Sequence, residues 1–178
     1  MHAAAQAKWP NVPACYEWLS LDRRGNWRLQ GERVSHPGLI AFLNQNYAVD
    51  DQGCWLVHNG PQRVFVDLAA TPWIYRREGE GLLSHTGRAS GAIQGVYLDG
   101  EGNLLIVAEL GPGLLDDRDL AGVLAECTDS SGRAVDESAF IALLAGEPAD
   151  VCWRGLPLQA LADTGHAARF GFVACPRP

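Results

Sequence analysis

Cysteine and histidine are too scattered in this chain to form a recognisable site. The cysteines contain no Cys-x-x-Cys pair and are odd in number: Cys15, Cys54, Cys127, Cys152 and Cys175. Such a set is typical of free thiols in a reducing compartment rather than of a disulfide framework. The histidines show no His-x-x-x-His or His-x-Glu spacing: His2, His36, His58, His85 and His166. We therefore expect neither a metal site nor a bound cofactor.

Basic residues are also scarce, with 14 Lys and Arg against 21 Asp and Glu and a formal net charge of −7. The basic pairs Arg23-Arg24 and Arg76-Arg77 lie near predicted turns, and we interpret them as solvated surface charges. Phosphate backbones are bound by clustered Lys and Arg, so this balance argues against a nucleic-acid partner.

Long apolar runs are missing as well. The longest, residues 139–145, is far too short to cross a bilayer. The first ten residues lack the apolar centre of a signal peptide. We therefore expect a cytoplasmic protein that does not bind membranes.

No catalytic signature is present. Ser84, His85 and Asp67 can be assembled into a triad on paper, but no Gly-x-Ser-x-Gly elbow accompanies them. The glycine-rich segments 79–81 and 111–113 lack the Gly-Lys-Ser/Thr ending of a phosphate loop. The sequence favours a protein without enzymatic activity.

What the chain does contain is a turn-rich, well-patterned core. Hydrophobic residues make up 47% of the chain, and 20 glycines and ten prolines punctuate it. The densest stretch is 53–73, which predicts a hairpin closed by Asn59-Gly60-Pro61-Gln62, with Val57 opposite Val64. Its other face, with Leu56 and Phe65, is amphiphilic.

Two main helices are predicted. Ser35 is a plausible N-cap of the first, with Pro37 in its first turn and apolar residues at helical spacing up to Tyr47. Asp116 or Asp117 caps the second, because N-capping explains this acidic stretch better than a cation site does. A further helix over 136–145 has no counterpart in the first half and is interpreted as an insertion.

Short motifs recur in the same order along the chain, which predicts an internal duplication. Residues 21–26 match 98–103, Gly53 matches Gly132, and 83–87 match 161–165. We therefore predict an α+β fold of two similar lobes, each with antiparallel strands packed on a helix. The predicted divisions are an N-terminal arm at 1–14, a first lobe at 15–90 and a second lobe at 91–178.

The hairpin also supplies the candidate binding residues. His58 and Arg63 are expected to be cross-strand neighbours beside Phe65, and the planar arginine fork suits a carboxylate or phosphate. The alternative is an exposed hairpin tip whose polar residues face water. Trp73, after Pro72, either lines a groove or closes the core. The predicted ligand-binding residues are His58, Arg63, Phe65 and Trp73.

Several of these segments resemble a proteobacterial family of domains of unknown function, number 1285. The resemblance lies in Trp27–Val34, the helix at 39–43, the acidic glycine turn 51–53 and the Pro72-Trp73 corner. It implies a two-part α+β fold with repeated motifs and a ligand-binding or signalling role, and no catalytic residues are carried over from it. Residues 69–71 stand where the family has an acidic pair, so the likeness is that of a distant relative.

Three functional hypotheses follow. The leading one is a non-enzymatic cytoplasmic module that binds a small anionic ligand or a protein partner, with a signalling or regulatory role. The alternative is a hydrolase-type enzyme, which requires His58 or His85 to meet an acid in a pocket between the lobes. The third is a homodimer formed through the amphiphilic face at Leu56 and Phe65.

Overall fold

The computed structural model describes residues 9–162 and 165–178, which form two mixed β-sheets and four α-helices. Of the predicted N-terminal arm, residues 1–8 lie outside the described residues, and Trp9 packs against the core. Residues 163 and 164, part of the third predicted motif match, also lie outside them. The α+β class is confirmed.

The first sheet and its helix form the first lobe. Its strand order is β3-β2-β1-β6-β5-β4, and helix α1 lies between β3 and β4 in the chain. The elements are β1 (Ala14–Leu21), β2 (Trp27–Leu29), β3 (Glu32–Arg33), α1 (Pro37–Asn46), β4 (Tyr47–Val49), β5 (Trp55–Asn59) and β6 (Gln62–Leu68).

The second sheet and three helices form the second lobe, with strand order β12-β13-β9-β10-β11-β7-β8. The strands are β7 (Trp73–Glu78), β8 (Gly81–Ser84), β9 (Ile93–Asp99), β10 (Leu104–Ala108), β11 (Gly111–Leu115), β12 (Cys152–Trp153) and β13 (Leu156–Leu161). The helices are α2 (Asp117–Ala125), α3 (Glu137–Leu144) and α4 (His166–Phe170).

Both sheets are mixed, which corrects the expectation of antiparallel lobes. Strand β1 runs parallel to β6, β9 parallel to β13, and β7 parallel to β11. A parallel pair needs a long crossover between its strands, so its partners are distant in the chain. Local turn signals report only hairpins, and for that reason the sequence pattern did not reveal these pairs.

The sheets share one pattern of connections. In the first sheet β1, and in the second sheet β9, pairs antiparallel with the next strand in the chain, β2 or β10. The same strand also pairs parallel with a strand later in the chain, β1 with β6 and β9 with β13. That later strand pairs antiparallel with the strand just before it in the chain, β6 with β5 and β13 with β12. Strands β7 and β8, which the sequence pattern placed in the first lobe, are hydrogen-bonded to the second sheet through β11.

One turn recurs in both lobes. In each copy an aspartate carboxylate accepts the backbone N–H groups two and four residues later, as Asp22 does from Arg24 and Asn26. The glycine three residues later has a positive φ, 77° at Gly25, where glycine is favoured for want of a Cβ. The same contacts occur at Asp50, Asp99 and Asp129.

The central hairpin has the predicted register. Val57 lies opposite Val64, and His58 lies opposite Arg63. Both valines are fully buried, and on the other face Leu56 and Phe65 are only 2% and 4% exposed. The face considered for a homodimer is therefore largely covered within the chain.

Helix starts differ slightly from the prediction. His36 rather than Ser35 caps α1, because Pro37 is the first helical residue and its neighbour takes the cap position. The His36 Nδ1 accepts the Leu39 N–H at 3.2 Å. Asp116 caps α2 as predicted. Among the described residues, no helix is both long and apolar enough to cross a membrane.

Candidate functional site

Three of the four predicted binding residues meet at the hairpin of β5 and β6. The Arg63 guanidinium lies 5.5 Å from the centroid of the Phe65 ring. The Phe65 ring stacks on Tyr16 with centroids 4.5 Å apart. His58 and Arg63 are exposed, so the hairpin presents one polar pair to solvent beside a buried aromatic ring.

Trp73 lies apart from those three residues. It is 2% exposed and packs on Trp55, with ring centroids 5.2 Å apart. Trp55 shares a strand face with Val57, whereas Phe65 points to the opposite face, because side chains alternate along a strand. Trp73 therefore closes the core and does not line a groove with Arg63.

Trp73 belongs to an aromatic cluster that joins the two sheets. Its ring pairs have centroids 4.7–5.7 Å apart, and its members are Trp27, Tyr47, Trp55, Trp73 and His85. The Tyr47 hydroxyl donates to the Pro72 carbonyl at 2.8 Å. The cluster thus ties the first lobe to the start of the second.

His85 is the titratable member of the aromatic cluster. Its Nδ1 accepts the Ile74 N–H at 3.3 Å, and burial lowers the pKa of His85 to about 3. In the described part of the chain, the buried His85 Nε2 and Trp73 Nε1 have no hydrogen-bond partner. The imidazole is therefore neutral at pH 7 and is held by packing.

Within the described residues, His58 and His85 do not meet each other or an acid. His58 is exposed on the hairpin, whereas His85 is inside the aromatic cluster. Between positions 9–162 and 165–178, neither forms an ion pair with a carboxylate, and His166 instead lies 3.3 Å from Asp99. The convergence that the hydrolase hypothesis requires of His58 or His85 does not occur there.

A cavity of about 560 Å³ lies between the two lobes. We call it the interlobe cavity. The first lobe contributes the turn after β1 and the residue after β6, and the second lobe contributes the turn after β9, the strands β10 and β11, and the start of α2. Its lining residues are Asp22, Arg23, Arg24, Ala69, Asn103, Leu104, Leu114, Leu115, Asp117 and Leu120.

The interlobe cavity is apolar inside and charged at its edge. Leu104, Leu114 and Leu115 are at most 4% exposed, because they lie on neighbouring central strands of the second sheet. Arg23, Arg24 and Asp117 are solvent-exposed. The arrangement suits a ligand with an apolar body and a polar end.

An ion pair crosses the edge of the interlobe cavity. The Arg24 Nε and Nη2 donate to the two carboxylate oxygens of Asp117 at 2.8 and 2.7 Å. Hydrogen bonds from Arg24 lower the pKa of Asp117 to about 2. This pair links the turn after β1 to the first turn of α2.

The Asp22 carboxylate finds its hydrogen-bond partners within its own lobe. Burial raises the pKa of its carboxyl, but hydrogen bonds from Asn26, Arg24 and Arg28 outweigh burial and lower it overall. The Arg28 Nε lies 3.1 Å from the Asp22 carboxylate. Within the described residues Arg23 forms no ion pair, so it is the uncompensated charge of the lining.

The acidic stretch at the start of α2 is paired with arginines. Asp116 has no exposed side-chain area and accepts hydrogen bonds from the Arg118 Nε and Nη2 at 2.8 and 2.6 Å. Asp119 accepts from the Arg76 Nε at 2.7 Å, and Arg77 pairs with Glu126. The helix is thereby fixed to β7.

Sequence reasoning missed the interlobe cavity because its wall comes from both lobes. The sequence pattern alone predicts solvated charges at Arg23-Arg24, because Asp117, the partner of Arg24, is remote in the chain. One local signal was available. The matching turns after β1 and β9 contribute Asp22 and Asn103 to the same lining.

The comparisons with known proteins identify only uncharacterised families. A crystal structure of a DUF1285 family protein from Silicibacter pomeroyi has a TM-score of 0.49 and 12% sequence identity. The match covers 72% of this chain and 76% of that chain. That protein carries the name of the family that the sequence motifs resemble.

No curated protein matches the chain. A family model, in contrast, matches residues 1–177. The chain therefore belongs to the family described as "Protein of unknown function (DUF2946)".

Proposed function

We propose that the protein is a non-enzymatic module that binds a small, largely apolar ligand in the interlobe cavity. The observation that carries the proposal is the cavity itself, about 560 Å³ in volume and walled by buried leucines. Ligand pockets typically measure about 300–1,000 Å³ and combine an apolar wall with a few polar groups.

The leucine wall is suited to binding because it is rigid. Leu104 lies on β10 and Leu114 on β11, both inside the second sheet, so their positions are set by ladder hydrogen bonds. Apolar ligand surface that these side chains remove from water contributes about 25 cal/mol per Å². The sheet backbone thus need not rearrange when a ligand binds.

Binding of octan-1-ol to the full chain tests the proposal by isothermal titration calorimetry. Ala69→Phe places a large ring in the interlobe cavity from an exposed position, and we expect it to abolish binding. Ala41→Phe, exposed on α1 and outside the lining, is the matched control and is expected to bind normally. Absence of saturable binding by the unmodified chain would overturn the proposal.

The exposed pair at the hairpin remains a second candidate site, for a small anion. Arg63 lies over a buried aromatic ring, and His58 lies directly opposite it across the hairpin. Arg63→Ala distinguishes the sites, because it would weaken anion binding at the hairpin and leave octan-1-ol binding in the interlobe cavity unchanged.

We also propose that the two lobes arose by duplication. The shared pattern of strand connections supports this, because it includes the parallel pairs β1–β6 and β9–β13, which a local turn cannot form. Sheet membership favours a division between β6 and β7 over the predicted division at residue 90. A cytoplasmic location remains part of the proposal, supported by five cysteines that are all free.

A protein partner and a homodimer are proposals that rest on the sequence alone. Light scattering at several concentrations tests the homodimer, which would need residues beyond Leu56 and Phe65, since these are buried.

A further inference from the structure

We infer that the ligand carries a single carboxylate head group, bound by Arg23 and Arg24, and that Asp117 competes with this head group for Arg24. The inference rests on the proposed binding in the interlobe cavity. It assigns the chemical class of the ligand and a built-in competitor at the same site.

The charge balance at the cavity edge supports an anionic head group. The charged lining residues are two arginines and two aspartates. Asp22 is already used by its own turn and by Arg28, which lies outside the lining. Arg24 and Asp117 neutralise each other, so within the described residues Arg23 remains as the one lining charge without an ion pair.

The other polar groups nearby are occupied by partners. The Asn103 side-chain amide donates to Asp99 and Glu101. Arg118 and Arg76 are held by Asp116 and Asp119. The donors available to a head group at the cavity edge are therefore those of Arg23 and, after exchange, Arg24.

The Arg24–Asp117 pair is built in a way that permits exchange. Its side chains are 52% and 61% exposed, and such pairs contribute little net stability in water. A ligand carboxylate offers the same two acceptor oxygens to the guanidinium fork as Asp117 does. The displaced Asp117 carboxylate stays in the first turn of α2, where the N-terminal N–H groups favour a negative charge.

Displacement also changes how the lobes are tied together. The pair joins the turn after β1 in the first lobe to α2 in the second. The ligand would replace a direct bond between the lobes with an indirect one, in which its head group binds the first lobe and its apolar body contacts the second. Occupancy of the cavity is thus linked to the interlobe contact.

Three probes of equal chain length test the inference: octanoate, octan-1-ol and octylammonium, titrated into the full chain at pH 7. We expect octanoate to bind about tenfold more tightly than octan-1-ol, the gain of one charge-assisted contact. Octylammonium should bind most weakly. Raising the salt concentration should weaken the binding of octanoate and leave the binding of octan-1-ol unchanged.

Two charge variants separate the roles. Arg23→Gln should remove most of the octanoate advantage, whereas Asp117→Asn should raise octanoate affinity several-fold because Arg24 is released. For each variant the octanoate affinity is compared with the octan-1-ol affinity of the same variant, so that a general change in the cavity cancels. Arg133→Gln is the control, because Arg133 is 82% exposed and pairs with Asp129, outside the cavity lining.

The outcomes distinguish this inference from the proposed function. If octan-1-ol binds and Ala69→Phe abolishes it, but octanoate binds no better, the cavity function stands and the carboxylate assignment is wrong. Unchanged octanoate affinity in Asp117→Asn overturns the competitor role. Absence of binding by all three probes overturns both. A melting temperature for each variant confirms that it is folded.

Discussion

His85 shows what a single buried side chain can do to this fold. Its ring contacts three other members of the aromatic cluster between the sheets, Trp27, Tyr47 and Trp73. An imidazole in that position is stable only while neutral, because protonation would bury a charge without a counter-ion. Protonation of this side chain would therefore destabilise the junction of the lobes.

We predict a loss of stability in mild acid that depends on His85. The pKa of His85 in the folded chain is about 3, whereas an unfolded histidine has a pKa of about 6.5. The unfolded state therefore takes up a proton first as the pH falls below about 6.5, and the free energy of unfolding decreases until the folded pKa is reached. Between pH 7 and pH 5 the expected loss is about 2 kcal/mol.

Urea denaturation at pH 7, 6 and 5 measures this effect. His85→Phe keeps an aromatic ring but cannot titrate. The free energy of unfolding of this variant should therefore not show that decrease between pH 7 and pH 5. His58→Phe, on the exposed hairpin, should retain it. An equal decrease in His85→Phe and the unmodified chain would contradict the assignment.

At the scale of elements, the recurring aspartate turn explains how the strands are joined. One carboxylate accepts two backbone N–H groups, and a glycine with positive φ closes the loop. This turn occurs twice in each lobe. Sequence matches between such turns therefore reflect the chemistry of the turn as well as a common origin of the lobes. The order of the strands is the stronger argument for duplication.

Two glycines of this turn form a matched pair for a prediction. Gly53 and Gly102 both have φ 82°, so an alanine incurs the same conformational cost of about 1 kcal/mol at each. At Gly102 a Cβ meets nothing within 4 Å, whereas at Gly53 it would lie 2.8 Å from the Gly171 carbonyl oxygen. Gly53→Ala should therefore cost about 1 kcal/mol more than Gly102→Ala.

Chemical denaturation of both variants decides the matter. Equal losses would mean that the segment after Gly171 yields to the new methyl group without cost. A larger loss for Gly102→Ala would contradict the clash itself.

At the scale of the whole molecule, the C-terminal segment connects the lobes. After α4 the chain crosses to the first sheet, where the Val173 N–H donates to Gly53 and Ala174 accepts the Leu68 N–H at 2.7 Å. Phe172 is buried in the core, and Arg177 reaches Asp67 at 2.8 Å. The aromatic cluster and this segment thus both join the two lobes.

Removal of residues 172–178 should destabilise the protein more than loss of the terminal ion pair alone. The truncation exposes the core around Phe172, and an aromatic core residue is typically worth 3–5 kcal/mol. Arg177→Ala removes only exposed pairs and should cost under about 1 kcal/mol. Thermal denaturation measures both, and similar melting temperatures for the two variants would contradict this role.

The sequence alone determined the features that local chemistry controls. The hairpin register around Val57 and Val64, the acidic cap of α2 and the aspartate turns each depend on residues a few positions apart. Period-two alternation, turn glycines and capping carboxylates are visible at that range. The start of α1 was displaced by one residue, since histidine is not a usual cap.

Three features were decided only by the tertiary structure: the parallel strand pairs, the membership of β7 and β8 in the second sheet, and the interlobe cavity. Each depends on segments that are far apart in the chain, and no local pattern encodes their pairing. Trp73 was ambiguous from its sequence for the same reason, because groove and core differ only in what covers the ring. Arg24 looked like a solvated charge until the fold brought Asp117 within hydrogen-bond distance of it.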